Sequence, residues 1–509
     1  MRKNYLLLLL GAFVGLGLTA CSKDPEEKIV PTEIEGVTGI EASYSRGLHE
    51  YLEITPDVSL SSETGSDVTY EWNIGYKTVS TEKILSFKCD ELGEFDGFFK
   101  ASSPTGAKII DFKLRVSSPY DRGLLLLSET TEGALLSFKR LDIMETPVSP
   151  YAFKDNNPTL SLGKNALALC WKGEGVTNPT AASVEKGDFD VVISSSNPTK
   201  VYTLNTNDMK VKTEIAYDGN GTFHPNKIHC PLGVQEYLWQ GELYFTGDGR
   251  EYIMSSENTF VQPGEYEKLP EGTRIADYTC SLITEYDDRV RVYFDSEKKR
   301  LLYVPIVLGS AVLESETTCN GDIIGMFACD GMYYNGRYDP GHVMAITANG
   351  NQVTVYRFSA PADAIEIEEE KLGEIDASGH ILPTSAMGVN PIKPILYYSK
   401  GNSIYRLNYD GQNFDSKPYI TIEGNYEIKQ IVFNRYDVNT LYLAAENLDE
   451  TGELKASLFI YDISDNSSAR LLFEDHRIGG SVKQLLYKGN GKEYESVVTE
   501  ESILRKFMR

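Results

Sequence analysis

The sequence lacks several features that would assign it a reaction or a nucleic-acid partner. Its 509 residues carry 49 Lys and Arg against 74 Asp and Glu, for a net charge of −25, and no basic patch of the kind that binds phosphates. The Gly-x-Ser-x-Gly elbow, the His-Glu-x-x-His helix motif, the Walker loop and the Cys-x-x-Cys pair are all absent. We therefore expect no nucleic-acid partner, cofactor or metal, and the motifs identify no catalytic residue.

Tryptophan is scarce, with three residues, whereas the chain has 32 tyrosines and 20 phenylalanines. Tyrosine suits β-strands and hydrated binding surfaces. The hydrophobic fraction of 41% and the charged fraction of 24% are typical of a folded globular protein and argue against a largely disordered chain. The composition therefore predicts an aromatic-rich, β-rich protein, and the length predicts two to four domains.

Long apolar runs are confined to the N-terminus. Arg2 and Lys3 precede an apolar stretch from Leu6 to Leu18, which is too short and too early for a typical membrane-spanning helix. The stretch ends in Leu-Thr-Ala-Cys at residues 18–21, which resembles the bacterial lipobox. This resemblance implies a signal peptide over residues 1–20 and lipidation of Cys21; the alternative is a signal peptide with a coincidental cysteine. We expect membrane attachment through this lipid only.

Residues 21–35 are predicted to form an acidic tether, because polar residues, Pro and Glu dominate them. An acidic tract directly after a lipidated cysteine also resembles the surface-export signal of Bacteroidetes lipoproteins. That resemblance implies an outer-membrane lipoprotein facing the extracellular side.

Short runs of alternating hydrophobicity fill residues 36–118 and predict a small β-sandwich. The segments Tyr51–Pro56, Tyr70–Gly75 and Val116–Tyr120 resemble the PKD-like domain of Bacteroidetes lipoproteins. In that resemblance Trp72 is the core tryptophan of an immunoglobulin-like sandwich. The chain departs from the usual PKD pattern because it lacks the acidic, Gly-rich turn after this tryptophan.

Residues 119–509 contain apolar strands that recur along the chain. After a first interval of 67 residues the spacing is 44 to 53 residues, and the strands begin near Leu124, Val191, Leu243, Val290, Val343, Leu396, Leu441 and Leu485. Repeats of roughly 40–50 residues built from short strands are typical of a β-propeller. We predict an all-β protein, with an immunoglobulin/PKD-like β-sandwich followed by a β-propeller of about seven blades; six or eight stay open.

The order of lipobox, PKD-like sandwich and propeller resembles the PKD-like family of Bacteroidetes outer-membrane lipoproteins. This resemblance implies association with SusC/SusD-type importers and sister lipoproteins at nutrient-uptake loci. It favours non-catalytic capture or docking of a nutrient, with an oligopeptide or protein ligand favoured over a glycan. Two alternatives remain: a propeller enzyme, either a glycoside hydrolase or a lyase acting on an extracellular polymer, and a scaffold that binds only the importer.

The most site-like segment is Asp330–His342, which is rich in glycine and tyrosine. Its side chains suit stacking on a sugar or holding a peptide backbone, and the candidate ligand-binding residues are Tyr333, Tyr334, Asn335, Arg337 and Tyr338. The alternative is a long loop that packs its own tyrosines.

Six cysteines follow Cys21, and the sequence alone does not determine their pairing. Cys319 and Cys329 flank a Gly-containing segment and form the best candidate disulfide in an exported protein; the alternative is two buried thiols. His224 and His229 stand close to Cys230 and offer three potential metal ligands. Their spacing does not suit a helix, so we interpret them as loop histidines.

Overall fold

The computed structural model divides the chain into two compact units, one of Met1–Cys89 with Glu94–Arg115 and the other of Asp90–Gly93 with Val116–Arg509. The residues that it describes are 32–61, 67–173, 189–197, 199–217, 223–229, 243–254, 260–261, 269–283, 289–305, 312–329, 332–334, 337–339, 342–359, 371–391, 393–434 and 437–490. Cys21 and the signal peptide lie outside this part of the chain.

Strands account for nearly all regular structure in the described residues, and the predicted all-β class is confirmed. The helix in this part of the chain is α1 (Ala152–Asn156), which has five residues. Within the described ranges, no helix has the length and apolar character needed to cross a membrane.

Within the described residues, the first unit contains nine strands in three sheets. The strands are β1 (Ile34–Thr38), β2 (Ser43–Gly47), β3 (Tyr51–Ile54), β4 (Asp57–Leu60), β5 (Thr69–Ile74), β6 (Lys77–Ser80), β7 (Leu85–Lys88), β8 (Gly93–Ser103) and β9 (Gly106–Ser117). A five-stranded sheet has the order β2-β9-β8-β5-β6, and β1 pairs with β4 and β3 with β7.

Trp72 is fully buried at the centre of this unit. Its ring lies 4.5 Å from the ring of Phe99 and 6.1 Å from that of Phe112, and its indole N–H donates a 3.0 Å hydrogen bond to the carbonyl of Glu82. Strand alternation explains the packing, because every second residue of a strand faces the core. The immunoglobulin/PKD-like assignment of this unit stays a prediction.

The second unit is built from small antiparallel sheets, which we number 1 to 7. Sheet 1 contains β10 (Gly123–Glu129), β11 (Ala134–Arg140) and the last strand, β39 (Ser481–Lys488). Sheet 2 contains β12 (Lys164–Trp171), β13 (Val191–Asn197), β14 (Thr199–Leu204) and β15 (Val211–Ala216). Sheet 3 contains β16 (Lys227–His229), β17 (Leu243–Gly247), β18 (Arg250–Met254) and β19 (Phe260–Val261). Sheet 4 contains β20 (Ile275–Ile283), β21 (Arg289–Asp295), β22 (Arg300–Pro305) and β23 (Leu313–Glu314).

Sheets 5 to 7 continue the same pattern. Sheet 5 contains β24 (Asp322–Cys329), β27 (His342–Asn349), β28 (Gln352–Ser359) and β29 (Lys371–Asp376). Along the chain, the connection from β24 to β27 contains a separate hairpin of β25 (Met332–Tyr334) and β26 (Arg337–Asp339). Sheet 6 contains β30 (Met387–Val389), β31 (Ile395–Lys400), β32 (Ser403–Asn408), β33 (Asn413–Phe414) and β34 (Ile420–Thr421). Sheet 7 contains β35 (Tyr426–Asn434), β36 (Asp437–Asn447), β37 (Ala456–Asp462) and β38 (Arg470–Gly479).

The seven sheets form a closed ring. The strands β12, β16, β20, β24, β30, β35 and β39 each contact the next in this order, and β39 contacts β12. We call these seven the inner strands. Because β39 pairs with β10, the first and last parts of the unit share one sheet and close the ring. This strand order is that of a β-propeller, and the number of sheets in the described ring, seven, equals the number of blades estimated from the sequence.

Apolar clusters fill most of the contacts between neighbouring sheets. In six of the seven interfaces of the described ring, a buried cluster takes side chains from both sheets. The interface between sheets 3 and 4 differs, because the apolar cluster there contains Ile275, Tyr293, Leu302 and Val304, all from sheet 4. That interface also contains the buried charged side chains of Glu251 and Arg291.

The candidate disulfide does not form in this structure. Cys319 packs in the cluster between sheets 4 and 5, and Cys329 packs in the cluster between sheets 5 and 6. No disulfide joins any of the five cysteines in the described ranges, all of which are buried. Burial in two separate clusters is the alternative that the sequence left open.

Candidate functional site

A cavity of about 400 Å³ lies at the centre of the ring. All seven inner strands contribute to its wall, and many of its residues lie near the ends of those strands, such as His229 on β16 and Val389 on β30. Gly388 on β30 permits a close approach at this wall, because a Cβ atom there would lie 2.7 Å from the carbonyl oxygen of Ile431 on β35. The volume falls within the range of roughly 300–1,000 Å³ that is common for small-ligand sites.

The wall is strongly asymmetric in polarity. Strands β16 and β20, which are neighbours, contribute Lys227, His229, Thr279 and Ser281. The strands across the ring contribute mainly apolar side chains: Met387, Val389, Ile431, Val432, Phe433, Leu485 and Leu486. We call Lys227, His229, Thr279 and Ser281 the polar sector. A ligand with one polar end and one apolar end would match this arrangement.

Strand alternation explains why the polar side chains share one direction. Ile228 is buried in the apolar cluster between sheets 2 and 3, so Lys227 and His229 lie on the opposite face of β16, towards sheet 4. Likewise, Cys280 packs in the cluster between sheets 4 and 5, so Thr279 and Ser281 lie on the face of β20 towards sheet 3. The polar sector therefore lies at the inner edge of the interface between sheets 3 and 4.

A buried ion pair stands behind this sector. Arg291 and Glu251 both have fully buried side chains, with 3.7 Å between Arg291 Nε and Glu251 Oε1. The hydroxyl of Tyr293 donates a hydrogen bond to Glu251 Oε1, and the Arg291 guanidinium lies 3.6 Å from the centre of the Tyr244 ring. Burial of two charges is costly unless they are paired and hydrogen-bonded, and here the two charges are paired with each other and Glu251 also accepts a hydrogen bond.

His229 is held neutral. Burial, together with the positive charges of Arg291 and Lys227, lowers its pKa to about 3. Its Nε2 atom hydrogen-bonds to the hydroxyl oxygen of Ser281. A Ser–His pair of this kind can support nucleophilic catalysis only when the histidine accepts a proton. The surrounding cations oppose that step, because they disfavour a positive charge on the imidazole.

Three buried polar atoms of this interface have no hydrogen-bond partner within the described residues. They are Thr246 Oγ1, Glu251 Oε2 and Thr279 Oγ1, and their residues are only 1%, 3% and 8% exposed. Buried polar atoms are nearly always satisfied, by protein, water or ligand. Thr279 belongs to the polar sector, whereas Thr246 and Glu251 lie behind it on β17 and β18, so the hydroxyl of Thr279 is the one that water or a ligand in the cavity could satisfy.

Carboxylates are missing from the cavity wall as far as it is described. Among its lining residues, Lys227 carries the charge at neutral pH, and no Asp or Glu is present. Glycoside hydrolysis needs a pair of carboxyl groups roughly 5–10 Å apart beside the scissile bond. The described wall offers no such pair.

The sequence-predicted binding residues lie elsewhere, on the connection between β24 and β27. Tyr333 pairs with Tyr338 and Tyr334 with Arg337 across the β25–β26 hairpin. Asn335 lies outside the described residues. Sequence reasoning missed the polar sector because its residues lie on β16 and β20, which only the ring brings together.

The two candidate histidines are not brought together. The exposed His224 ring contacts the carboxylate of Asp248, with 3.0 Å between Nδ1 and Oδ2, whereas His229 faces the cavity and contacts Ser281. Cys230 lies outside the described residues. No group of three metal-ligating side chains is found in the part of the chain that the structure describes.

A second depression, of about 420 Å³, lies between sheets 6 and 7. The side-chain amides in its wall are engaged within the protein, because Asn402 donates to the carbonyl of Ile422 and Asn425 to the carboxylate of Asp449. The central cavity therefore remains the better candidate, since its wall combines Lys227 with the hydroxyl of Thr279, whose oxygen has no partner within the described residues.

The chain is similar to several solved structures, all at low sequence identity. No protein-family model matches the chain, and no curated protein matches it. A quinonprotein alcohol dehydrogenase-like protein of Bacteroides thetaiotaomicron is 16% identical, with a TM-score of 0.42, over 90% of this chain and 99% of that one. A dihydro-heme d1 dehydrogenase is 12% identical, with a TM-score of 0.38, over 78% and 74%. Hsv2 of Kluyveromyces lactis is 9% identical, with a TM-score of 0.32, over 59% and 75%. The propeller architecture rests on the strand pairing of this chain, and these similarities carry no inference about its function.

Proposed function

We propose that this protein is a surface-exposed, lipid-anchored accessory protein of an outer-membrane SusC/SusD-type importer that captures nutrient without catalysis. In this proposal Cys21 carries the lipid, the first unit is a PKD-like spacer, and the central cavity of the second unit binds an oligopeptide or a segment of a protein. The proposal combines the lipobox and the domain order, both read from the sequence, with the character of the cavity.

The observation that carries the proposal is the lining of the central cavity. It offers an apolar wall for side chains and a polar sector for main-chain or terminal groups, which is the combination that peptide ligands require. The described wall has no pair of carboxyl groups, so the same surface favours binding over glycoside hydrolysis.

Calorimetric titration of the purified protein against peptide mixtures and soluble polysaccharides tests the capture function. We expect binding of peptides and a clear loss of it in Gln430→Trp, because Gln430 lines the cavity and a larger ring there would fill it. The matched control is Gln352→Trp, which places the same substitution at an exposed hairpin position on β28. If only a polysaccharide binds, the captured ligand is a glycan and not a peptide. If neither class binds, the capture function is contradicted.

Purification of the lipoprotein from detergent-solubilised outer membrane tests the importer association. We expect co-purification of a SusC/SusD-type pair, retained by both Gln430→Trp and Gln352→Trp because the cavity is not the docking surface in this proposal. Recovery of the lipoprotein alone would contradict the association. If the importer is recovered and the titrations show no ligand binding, the results favour a scaffold that binds only the importer.

A further inference from the structure

The inner strands turn one backbone edge towards the middle of the ring. Each of them is the terminal strand of its sheet, since within the described residues it pairs with one other strand only. In an antiparallel pair, residues that bond to the partner strand alternate with residues whose N–H and C=O groups point away from it. We call the side with the groups that point away the inner edge of the strand. Such an edge can bond to a further strand.

The chain itself shows how an amide binds an inner edge. The N–H of Leu169 on β12 donates to Gln484 Oε1 on β39 over 2.9 Å, and Gln484 Nε2 donates to the carbonyl of Leu169 over 2.8 Å. Both residues line the central cavity. An added strand uses the same amide donors and acceptors on an edge. The inner edge of β12 is therefore already occupied by an amide of the protein.

The inner edge of β30 also faces the cavity. The N–H of Asn390 donates to the carbonyl of Ile395 on β31 over 3.0 Å, so Asn390 bonds towards β31. The register of β30 with β31 has no shift over residues 387–389. By alternation, the N–H and C=O groups of Met387 and Val389 lie on the inner edge. Both of these residues line the cavity.

Strand β35, the next inner strand, presents a second such edge. The carbonyl oxygen of Ile431 faces Gly388 on β30, where a Cβ atom would lie 2.7 Å from it, so Ile431 points away from β36. The register has no shift between Ile431 and Phe433, so alternation places the N–H and C=O of Phe433 on the inner edge as well. Within the described residues, neither Val389 nor Phe433 makes a backbone hydrogen bond outside its own sheet.

Apolar side chains accompany these two edges. Met387, Val389 and Phe433 line the same wall of the cavity, and they include an aromatic ring. An extended peptide matches this combination, because its main chain bonds to a strand edge while its side chains pack against the neighbouring surface. A ligand without amide groups would cover the edges and leave their N–H and C=O groups unbonded, which is costly.

We infer that the central cavity binds an extended peptide segment by strand addition, with its main chain bonded to the inner edge of β30 at Val389 and its side chains against the wall formed by β30 and β35. This inference rests on the proposed capture function and gives it a mode of binding. Recognition is through the main chain, so the terminal groups of the peptide take no part in it.

The experiment titrates the full chain calorimetrically with N-acetyl-Ala-Leu-Phe-amide, whose two ends are neutral, and with three derivatives that are each N-methylated at one residue. N-methylation removes one N–H group and keeps the side chains. Alternate residues of a strand bond to the same edge, so methylation at Leu should differ from methylation at Ala and at Phe. We expect a loss of affinity of at least about ten-fold on one side of this alternation and less than about three-fold on the other.

Two proline variants locate the bond on the protein. Proline has no N–H group and is tolerated at edge positions whose N–H is not used in pairing. Val389→Pro should therefore lower the affinity for the unmethylated peptide at least about ten-fold. Ala216→Pro is the matched control and should keep the affinity. Ala216 is exposed at the end of β15, the outer strand of sheet 2, and its N–H points away from β14 because Tyr217 bonds to the carbonyl of Thr199.

Each outcome decides the inference. An alternating loss on N-methylation, with weaker binding by Val389→Pro at an unchanged melting temperature, supports strand addition at β30. Equal effects of the three methylations, full affinity in a folded Val389→Pro, or no binding of the unmethylated peptide would overturn it. If Val389→Pro does not fold, the methylation series decides alone. Peptide binding without alternation overturns the binding mode and leaves capture intact, whereas capture itself fails only if neither peptides nor polysaccharides bind.

Discussion

At the scale of single residues, Arg291 and Glu251 form a buried ion pair in the interface between sheets 3 and 4. Both side chains are fully buried, and each needs the other because a lone buried charge is far more costly than a pair. Tyr293 and Tyr244 complete the surroundings, through a hydrogen bond to the carboxylate and a ring beneath the guanidinium. The pair holds positive and negative charge behind the wall of the cavity.

Removal of one charge should therefore destabilise the second unit strongly. We expect Arg291→Met to lower its free energy of unfolding by about 3–5 kcal/mol, because Glu251 would remain buried without its cation. The double variant Arg291→Met/Glu251→Leu should recover most of this loss. Urea denaturation of the single and double variants measures the coupling, and strictly additive effects would contradict a direct interaction.

Strand β39 is the element on which closure of the ring depends. It pairs with β10 from Gly123 opposite Lys488 to Glu129 opposite Ser481. The ammonium group of Lys488 is buried at its end and donates hydrogen bonds of 2.6 Å to the carbonyl of Tyr120 and 2.9 Å to that of Asp121. A side chain from the last strand thus binds the segment that leads into the first strand of the ring.

Lys488→Ala is expected to weaken this closure. Loss of the charged hydrogen bonds, with carbonyl groups left buried, should lower the free energy of unfolding by about 2–3 kcal/mol. Lys483→Ala on the same strand is the control, since Lys483 is exposed and should change the free energy of unfolding by less than about 0.5 kcal/mol. Hydrogen exchange of the β10 and β39 amides locates the effect, and equal protection in both variants would contradict a role in closure.

At the largest scale, the closed ring is a property of the second unit as a whole. Each inner strand contacts the next, and apolar clusters join neighbouring sheets, so an opened ring would expose two faces at once. Leu124, Leu126 and Leu485 lie together in the cluster between sheets 7 and 1, although more than 350 residues separate the first two from the third. Stability of the second unit should therefore be cooperative around the ring.

A chain ending at Gly480 tests this cooperativity, because it lacks the whole of β39. We expect it to lose its near-ultraviolet circular dichroism and to aggregate, since β10 would become an unpaired edge and the Leu124 face would be exposed. A chain ending at Asn490 retains β39 and should keep the melting temperature of the full chain. A monomeric, fully structured chain ending at Gly480 would contradict closure by β39.

Local patterns in the sequence determined the all-β class and the repeating sheets. The predicted strand starts fall in β10, β13, β17, β21, β27, β31, β36 and β39, because a strand buried on both faces is apolar over its whole length and stands out from the connections. The eight apolar strands belong to seven sheets, since Leu124 and Leu485 meet in sheet 1. The signal peptide, Cys21 and Asn335 lie outside the described residues and stay predictions, and no disulfide forms between Cys319 and Cys329.

Only the tertiary structure determined where the polar and charged side chains of the cavity come together. Lys227, Thr279 and Arg291 lie in strands whose sequences carry no recognisable motif. Their charged and hydroxyl groups form one cluster only because sheets 3 and 4 face each other. Hydrophobic periodicity depends on neighbours along the chain, so one sequence contains it, whereas a site formed between strands depends on which strands the closed ring places side by side. For this reason the class of fold is encoded locally and the polar sector is not.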